Sequence, residues 1–405
     1  MSRSLHADAE FLWGAATSPH QTEGENVHSD WWQLENAPKP FVPERSGQAI
    51  DSYHRYAEDM RLLADAGLTA YRFGIEWARI EPAPGRFEQS ELDHYRSMID
   101  TARGLGLTPV VTLHHFTSPA WFAAQGGWLH PDAVDLFARY VERVTEILAD
   151  VEWVCTINEP NVIAAMAALF RQADAAGADR AEAPADEAVT SLVLPTPDAA
   201  IADVLTSAHR RAVEILHDRT SAKVGWTVAG QQFRPTPGNE EVFERIRWEW
   251  EDRFLVAARD DDFIGVQAYT SQTVDANGPV PHPPHPDNTL TGWAYRPDAL
   301  GMAVRHAWEA TGGTPVLVTE NGIATDDDEI RIRYTEAALA GLEHAIADGV
   351  DVRGYLHWSA LDNFEWGHWG PTFGLIAVDR ATFERTPKPS LAWLGQHAHR
   401  RALAS

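Results

Sequence analysis

Two stretches of the 405-residue chain end an apolar run with a glutamate beside an asparagine. One reads Trp153-Val154-Cys155-Thr156-Ile157-Asn158-Glu159-Pro160 and the other Pro315-Val316-Leu317-Val318-Thr319-Glu320-Asn321-Gly322. A carboxylate at the end of a buried strand either caps the helix that follows or serves a reaction, because α/β folds collect their chemistry at the carboxyl ends of strands. For a single such stretch the cap is the lesser of the two readings. Two of them, with Glu159 and Glu320 in equivalent positions, point to a paired-carboxylate enzyme: one group attacks or activates water while ionised, and the other donates a proton.

The other unusual polar residues also fall at the ends of apolar runs. Gln21 stands in Gln21-Thr22-Glu23-Gly24, His115 in His114-His115-Phe116, and Gln267 and Tyr269 close a third run. Trp358 ends the last run, ahead of Asp362-Asn363-Phe364-Glu365-Trp366. Arg72 interrupts the apolar Tyr71-Arg72-Phe73, and a lone cation there requires an acidic partner or costs several kcal/mol. A ring of amides, imidazole, carboxylates and indoles suits a polyhydroxyl ligand, with hydrogen bonds to its edges and an aromatic floor under its C–H face. Sixteen tryptophans are more than packing alone calls for. Two carboxylates inside such a ring suit the hydrolysis of a glycosidic bond. The alternative, a metal held by His114 and His115 with Glu159 or Glu320, is disfavoured because neighbouring strand residues point to opposite faces. No metal and no cofactor is expected. His282 and His285, in the proline-rich 278–286, read as solvent-exposed loop residues.

The elements that must position these groups follow a regular rhythm. Apolar strand candidates occupy 11–17, 70–77, 108–116, 153–158, 223–229, 263–269, 315–320 and 352–360, with helix-like segments between them. Tyr56, Met60, Leu63 and Ala64 recur at helical intervals, as do Leu136, Tyr140, Val144 and Leu148. Strands alternating with helices imply parallel βαβ units, and eight of them imply a (β/α)8 TIM barrel, here a single catalytic domain over 1–405. The segment 171–188, rich in alanine and acidic residues, departs from this rhythm and reads as a mobile loop or loose helix at the rim. It carries no aromatic platform, which leaves Trp128 and Trp293 as candidates at the entrance. An apolar fraction of 44% supports a large core, and a net charge of −26 argues against a nucleic-acid partner. Cys155 is the only cysteine, so no intramolecular disulfide can form. Residues 1–10 lack a charged-then-apolar leader pattern, and no run reaches membrane-spanning length. These features lead us to expect a cytoplasmic protein with a small-molecule partner and no membrane partner; oligomeric state is not legible.

At family level the sequence resembles the family 1 glycoside hydrolases, the β-glucosidase family. The motifs that carry the resemblance are TINEP at 156–160, VTENG at 318–322 and WSALDNFEW at 358–366. HQTEG at 20–24, YRFGIEWARIEP at 71–82, TLHHF at 112–116, GGW at 126–128 and GLIAVD at 374–379 extend it over most of the chain. The resemblance implies a retaining β-glycosidase with Glu320 as nucleophile and Glu159 as acid/base. It implies that Arg72 and Tyr269 attend the nucleophile and that Asn158 binds the sugar's 2-hydroxyl. Gln21, His115, Glu365 and Trp366 would hold the other hydroxyls of the sugar, and Trp358 would form the floor. Members acting on 6-phosphosugars usually have serine at the position of Glu365, so a non-phosphorylated sugar is expected. The chain departs from the family pattern at Gln267, where asparagine is usual, at Phe116, where tryptophan is usual, and over 171–188. Transglycosylation through the same intermediate, and sugar binding without catalysis, are the competing readings.

Overall fold

The computed structural model describes residues 11–175 and 193–402. Its centre is a closed barrel of strands β1 (Leu12–Ala16), β2 (Ala70–Gly74), β3 (Thr108–Thr112) and β4 (Trp153–Asn158), followed by β5 (Lys223–Ala229), β6 (Ile264–Gln267), β7 (Val316–Glu320) and β8 (Val352–Trp358). Every strand pairs in parallel with the next, and β8 returns to β1 in a register running from Leu12 opposite Gly354 to Ala16 opposite Trp358. Strands covered on both faces need apolar residues at successive positions, which is why β7 reads Val-Leu-Val-Thr-Glu and is buried throughout.

The strand expectations at 153–158 and 223–229 coincide with β4 and β5, whereas others overrun at their carboxyl ends. Residues 75–77 leave the ladder, and Trp77 opens the short helix Trp77–Ile80. Residues 113–116 and 268–269 likewise follow the last paired residues of β3 and β6. At this rim the chain stops pairing and turns, which brings His115, Phe116 and Tyr269 to the cavity while Trp77 and Leu113 remain in the core. Phe116 and Glu159, with φ of +65° and +46°, adopt backbone conformations that non-glycine residues seldom take outside functional turns.

The helices around the barrel bury most of the residues their spacing selects, with Tyr56, Ala64 and Leu136 half-buried against the core. Met60 and Leu63 of helix Ser52–Asp65 are fully buried, and helix Ala133–Val144 buries Phe137, Tyr140, Val141 and Val144. Leu148 lies past that helix, beyond the 3-10 turn Thr145–Ile147. A buried ion pair absent from the sequence pattern joins distant parts of the chain. Arg385, on a short hairpin after β8, donates from Nε to Asp59 Oδ1 at 2.8 Å, with both side chains fully excluded from solvent. Residues 171–175 complete helix Pro160–Ala175, and most of the rim segment proposed at 171–188 lies outside the described residues. Among the described residues no helix is long and apolar enough to cross a membrane.

Candidate active site

The barrel mouth opens into a cavity of ≈940 Å³, near the upper end of the range typical of ligand pockets. Glu320, the last residue of β7, lines it and is 4% exposed. Its Oε1 accepts from Arg72 Nη1 at 2.6 Å and from Gln267 Nε2 at 2.8 Å, and its Oε2 accepts from the Tyr269 hydroxyl at 2.6 Å. The residues behind it are fixed as firmly. Asn321 Nδ2 donates to the Ala268 carbonyl at 2.7 Å, and Tyr355 donates to Asn321 Oδ1 at 3.0 Å. Gly322 has no room for a side chain: a Cβ there would lie 1.9 Å from the Trp358 carbonyl oxygen.

Glu159, at the end of β4, is the second carboxylate on the cavity wall. Its backbone N–H donates to the Thr227 carbonyl at 2.9 Å, and helix Pro160–Ala175 starts at the next residue, where proline's fixed φ suits a first turn. Asn161 secures this turn by donating to the carbonyls of Ala229 and Trp250 at 2.9 and 3.0 Å. Among the described residues no donor reaches the Glu159 carboxylate.

This asymmetry sets the charge states. Burial raises both carboxyls, but Glu320 is opposed by Arg72, Tyr269 and Gln267, three donors that favour its ionised form. Glu159 is pushed well above the usual carboxylate range, first by burial and then by the charge on Glu320, with Arg72 the only opposing influence. Of the pair, Glu159 therefore holds the proton. Burial and the neighbouring carboxylates raise Tyr269 well above its ordinary value, so it remains a donor. Burial lowers His115 far below its ordinary value, and Arg72 adds to the effect, so its imidazole is neutral.

Arg72 and Asn158, both fully buried, stand behind the cavity wall. Arg72 bridges the two strand ends, donating to Glu320, to Asn158 Oδ1 and, from Nε, to Thr112 Oγ1 at 3.0 Å. Asn158 Oδ1 accepts also from Gln267 at 2.8 Å and from Thr227 at 3.0 Å. These three donors fix the amide's orientation and turn its Nδ2 toward His115 Nε2, 3.4 Å away. Gln267 is the site residue that sequence reasoning undervalued, because only its departure from the family's asparagine was visible. Its longer side chain spans Glu320 and Asn158 at once.

The remaining expected residues converge on the opposite wall. Gln21 lies on the short helix Pro19–Thr22, anchored by the adjacent Glu23, which binds Arg79 at 2.9 Å and Tyr95 at 3.0 Å. Gln21 Nε2 donates to Glu365 Oε2 at 3.2 Å and to the Phe364 carbonyl at 2.9 Å. Glu365 also accepts from the Trp358 indole at 3.3 Å, and burial holds its carboxyl well above the usual range. The Trp366 ring lies nearly parallel to two imidazoles, 10° from the plane of His115 and 9° from that of His20. Phe116 meets the edge of Trp366 at 5.0 Å.

The two adjacent histidines diverge. His115 faces the cavity, whereas His114 bonds Ser118 at 3.0 Å and packs against Trp128 and Phe137. Among the described residues no group of three or more His, Cys, Asp or Glu could hold a metal ion. Trp293 packs on Tyr269 at the entrance, but Trp128 is 7% exposed and belongs mainly to the core. The proline-rich loop is less remote than its composition implied: His285 is exposed, but His282 is only partly so and lines the cavity.

A sequence model described as glycosyl hydrolase family 1 matches residues 5–256 and 248–402. The chain is 31% identical to β-glucosidase A of Thermotoga maritima over 441 residues, covering 95% of each chain. It is 32% identical to thermostable β-glucosidase B of Thermobispora bispora over 436 residues, covering 97% of this chain and 90% of that one. Among solved structures, β-glycosidase BGL167 superposes with a TM-score of 0.87 at 42% identity, covering 98% of this chain and 97% of the other. The Thermotoga maritima β-glucosidase in complex with glucoimidazole superposes with a TM-score of 0.84 at 27% identity, covering 98% and 99%.

Proposed function

Because the chain belongs to glycosyl hydrolase family 1, we propose that Glu320 and Glu159 act as the nucleophile and the acid/base of a retaining β-glycosidase. The enzyme hydrolyses β-glucosides. The observation that carries the assignment is the donor asymmetry: Arg72, Gln267 and Tyr269 all donate to Glu320, while Glu159 is raised by burial and by the charge of Glu320.

In the first step the ionised Glu320 attacks the anomeric carbon while Glu159 protonates the departing oxygen, forming a covalent glycosyl-enzyme. Esterification removes the charge on Glu320 that had raised Glu159. Glu159 then gives up its proton more readily and serves as the base that activates water in the second step. In this reading Arg72 and Tyr269 keep the nucleophile ionised and oriented, and the Nδ2 of Asn158, held beside His115, is the donor assigned to the sugar's 2-hydroxyl. Gln21, His115, Glu365 and Trp366 bind the other hydroxyls above Trp358. This division of donors fits hydrolysis better than passive sugar binding, which requires neither an activated nucleophile nor a held proton.

We also read the whole chain as one catalytic unit, since the last barrel strand pairs with the first. A cytoplasmic location fits the single, buried, free Cys155, because no disulfide calls for an oxidising compartment; cell fractionation tests it. The assignment itself is tested by Glu320→Ala. This variant is expected to fold and to lose roughly 10⁴-fold or more of its turnover of an aryl β-glucoside. Substantial activity in a purified, contamination-free sample would refute it.

A further inference from the structure

An ionised carboxylate offers about four acceptor positions, two on each oxygen. On Glu320, Oε1 has both of its own filled, by Arg72 Nη1 at 2.6 Å and by Gln267 Nε2 at 2.8 Å. Among the described residues Oε2 accepts only from the Tyr269 hydroxyl, at 2.6 Å, and keeps one position open. Oε2 is therefore the oxygen free to bond the anomeric carbon. That bond forms as the bond to the leaving oxygen breaks, and the leaving oxygen takes the proton of Glu159. With Oε2 so engaged, the nucleophile has no position left for a hydrogen bond from the sugar's 2-hydroxyl. Asn158 has none either: its Oδ1 already accepts from Arg72, Gln267 and Thr227, and its Nδ2 is a donor that faces His115 Nε2. Gln267 is the group on this edge with an acceptor to spare. It lines the cavity and is 1% exposed. Both hydrogens of its Nε2 are in use, one on Glu320 Oε1 and one on Asn158 Oδ1 at 2.8 Å. Two acceptors around that atom fix it as the nitrogen, since a flipped amide would set its oxygen against them. The amide oxygen, Oε1, is then fixed too, and it is buried with no hydrogen-bond partner among the described residues. Amide bond lengths put it roughly 2.2 Å from Nε2, hence within about 5 Å of both Glu320 Oε1 and Asn158 Oδ1. A buried acceptor left without a partner is costly, and a ligand that supplies the donor removes that cost.

We propose that Gln267 is a specificity-determining residue, whose Oε1 accepts a hydrogen bond from the sugar's 2-hydroxyl while Asn158 Nδ2 donates to the oxygen of the same group. The hydroxyl is thereby read as donor and as acceptor at once. The substrate class narrows to β-glycosides with a free 2-hydroxyl: a 2-deoxy sugar or a 2-O-alkyl sugar has no hydrogen to give, and the amide oxygen stays buried without a partner. One side chain thus steadies the resting oxygen of the nucleophile and recognises the group next to the carbon under attack. The inference rests on the assignment of Glu320 as nucleophile.

The test compares an aryl β-glucoside with its 2-deoxy analogue, in the parent protein and in Gln267→Met and Gln267→Leu. The two substrates differ in intrinsic reactivity, but that difference is common to all the proteins and cancels when their preferences are compared. A weakened Glu320 slows both substrates and cancels likewise. What remains is the coupling between residue 267 and the 2-hydroxyl. The preference for the glucoside in kcat/KM should shrink about tenfold in both variants, the worth of one hydrogen bond in a buried site. Thr227→Val removes a donor from Asn158 Oδ1 and leaves Gln267 in place, so it should keep the parental preference within about twofold. An unchanged preference in the Gln267 variants would overturn the proposal. So would an equal fall in Thr227→Val, which would trace the discrimination to the bracing of Asn158. Equilibrium binding of deoxynojirimycin and of fagomine, the same iminosugar without its 2-hydroxyl, reads the coupling without turnover. Gln267→Met should weaken deoxynojirimycin about tenfold more than fagomine. A parent protein that shows this coupling in binding but hydrolyses neither glucoside refutes the nucleophile assignment alone. One that hydrolyses both with no coupling refutes the role of Gln267 alone.

Discussion

Replacing Tyr269 with phenylalanine removes one oxygen from the site and should move one limb of its pH profile. The Tyr269 hydroxyl donates to Glu320 Oε2 at 2.6 Å, and the ring rests against Trp293 and Phe373, contacts that phenylalanine retains. A hydrogen bond to a charged group is worth ~1.5–3 kcal/mol, and ~1.36 kcal/mol corresponds to one pKa unit. Arg72 and Gln267 still hold Oε1, so the lower part of that range applies: a shift of about one unit. The sign follows from the donor. Tyr269 favours ionised Glu320, so its loss raises the pKa of Glu320, and activity that depends on the ionised form is lost at a higher pH. The acid limb of kcat/KM for an aryl β-glucoside should therefore move up by about one unit. The alkaline limb, where Glu159 surrenders its proton, should stay within a few tenths, because the phenol is neutral and Glu159 is governed by burial and by Glu320. An unmoved acid limb, or two limbs that move together, would refute the view that Tyr269 acts through the ionisation of the nucleophile.

Glu159→Gln keeps the size of the acid/base and removes its proton. Glycosides with poor leaving groups should lose far more activity than an activated aryl glycoside, which should form the intermediate and then stall; equal slowing of glycosylation for both would count against the role. A 6-phospho-β-glucoside should be cleaved at least about 10²-fold less well than the plain glucoside, since a buried dianion without a partner is costly. Arg171, the only cation lining the cavity among the described residues, is paired with Asp198, and Arg72 is committed to Glu320. A preference for the phosphorylated sugar would overturn that expectation. Asp59→Asn should cost ~3–5 kcal/mol by leaving Arg385 buried without its counter-charge, seen as a lower urea midpoint with activity retained below it. Asp59→Leu with Arg385→Met should recover much of the loss, and a single variant that unfolds where the parent does would show the pair to be idle.

The barrel itself was legible in the sequence because parallel strands covered on both faces must be apolar at successive positions, and β4 and β5 can be read to the residue. Glu159 and Glu320 stood out for the same reason: a charge that ends such a run has nowhere to go but the barrel mouth. The rim was less legible. Whether 75–77, 113–116 and 268–269 continue a strand depends on whether a neighbour remains to pair with them, and that neighbour lies far away in the chain. From its own run Arg72 could be said only to need an acid, and it was the family resemblance that put it beside Glu320. Only the closed barrel brings it to Glu320, 248 residues on, and to Asn158. The same closure turned Gln267 from a departure into a bridge between nucleophile and amide, because its reach matters only once β4, β6 and β7 stand side by side. The part that helix Pro160–Ala175 takes in the cavity wall, through Val162, Met166 and Phe170, was hidden for a further reason. From Val162 to Phe170 its sequence is apolar on every side, and periodicity cannot tell a face that packs on protein from one that lines a cavity. Local chemistry and period thus set the elements and the reactive groups, and tertiary closure decided which charges neutralise one another and which apolar surface is left for a ligand.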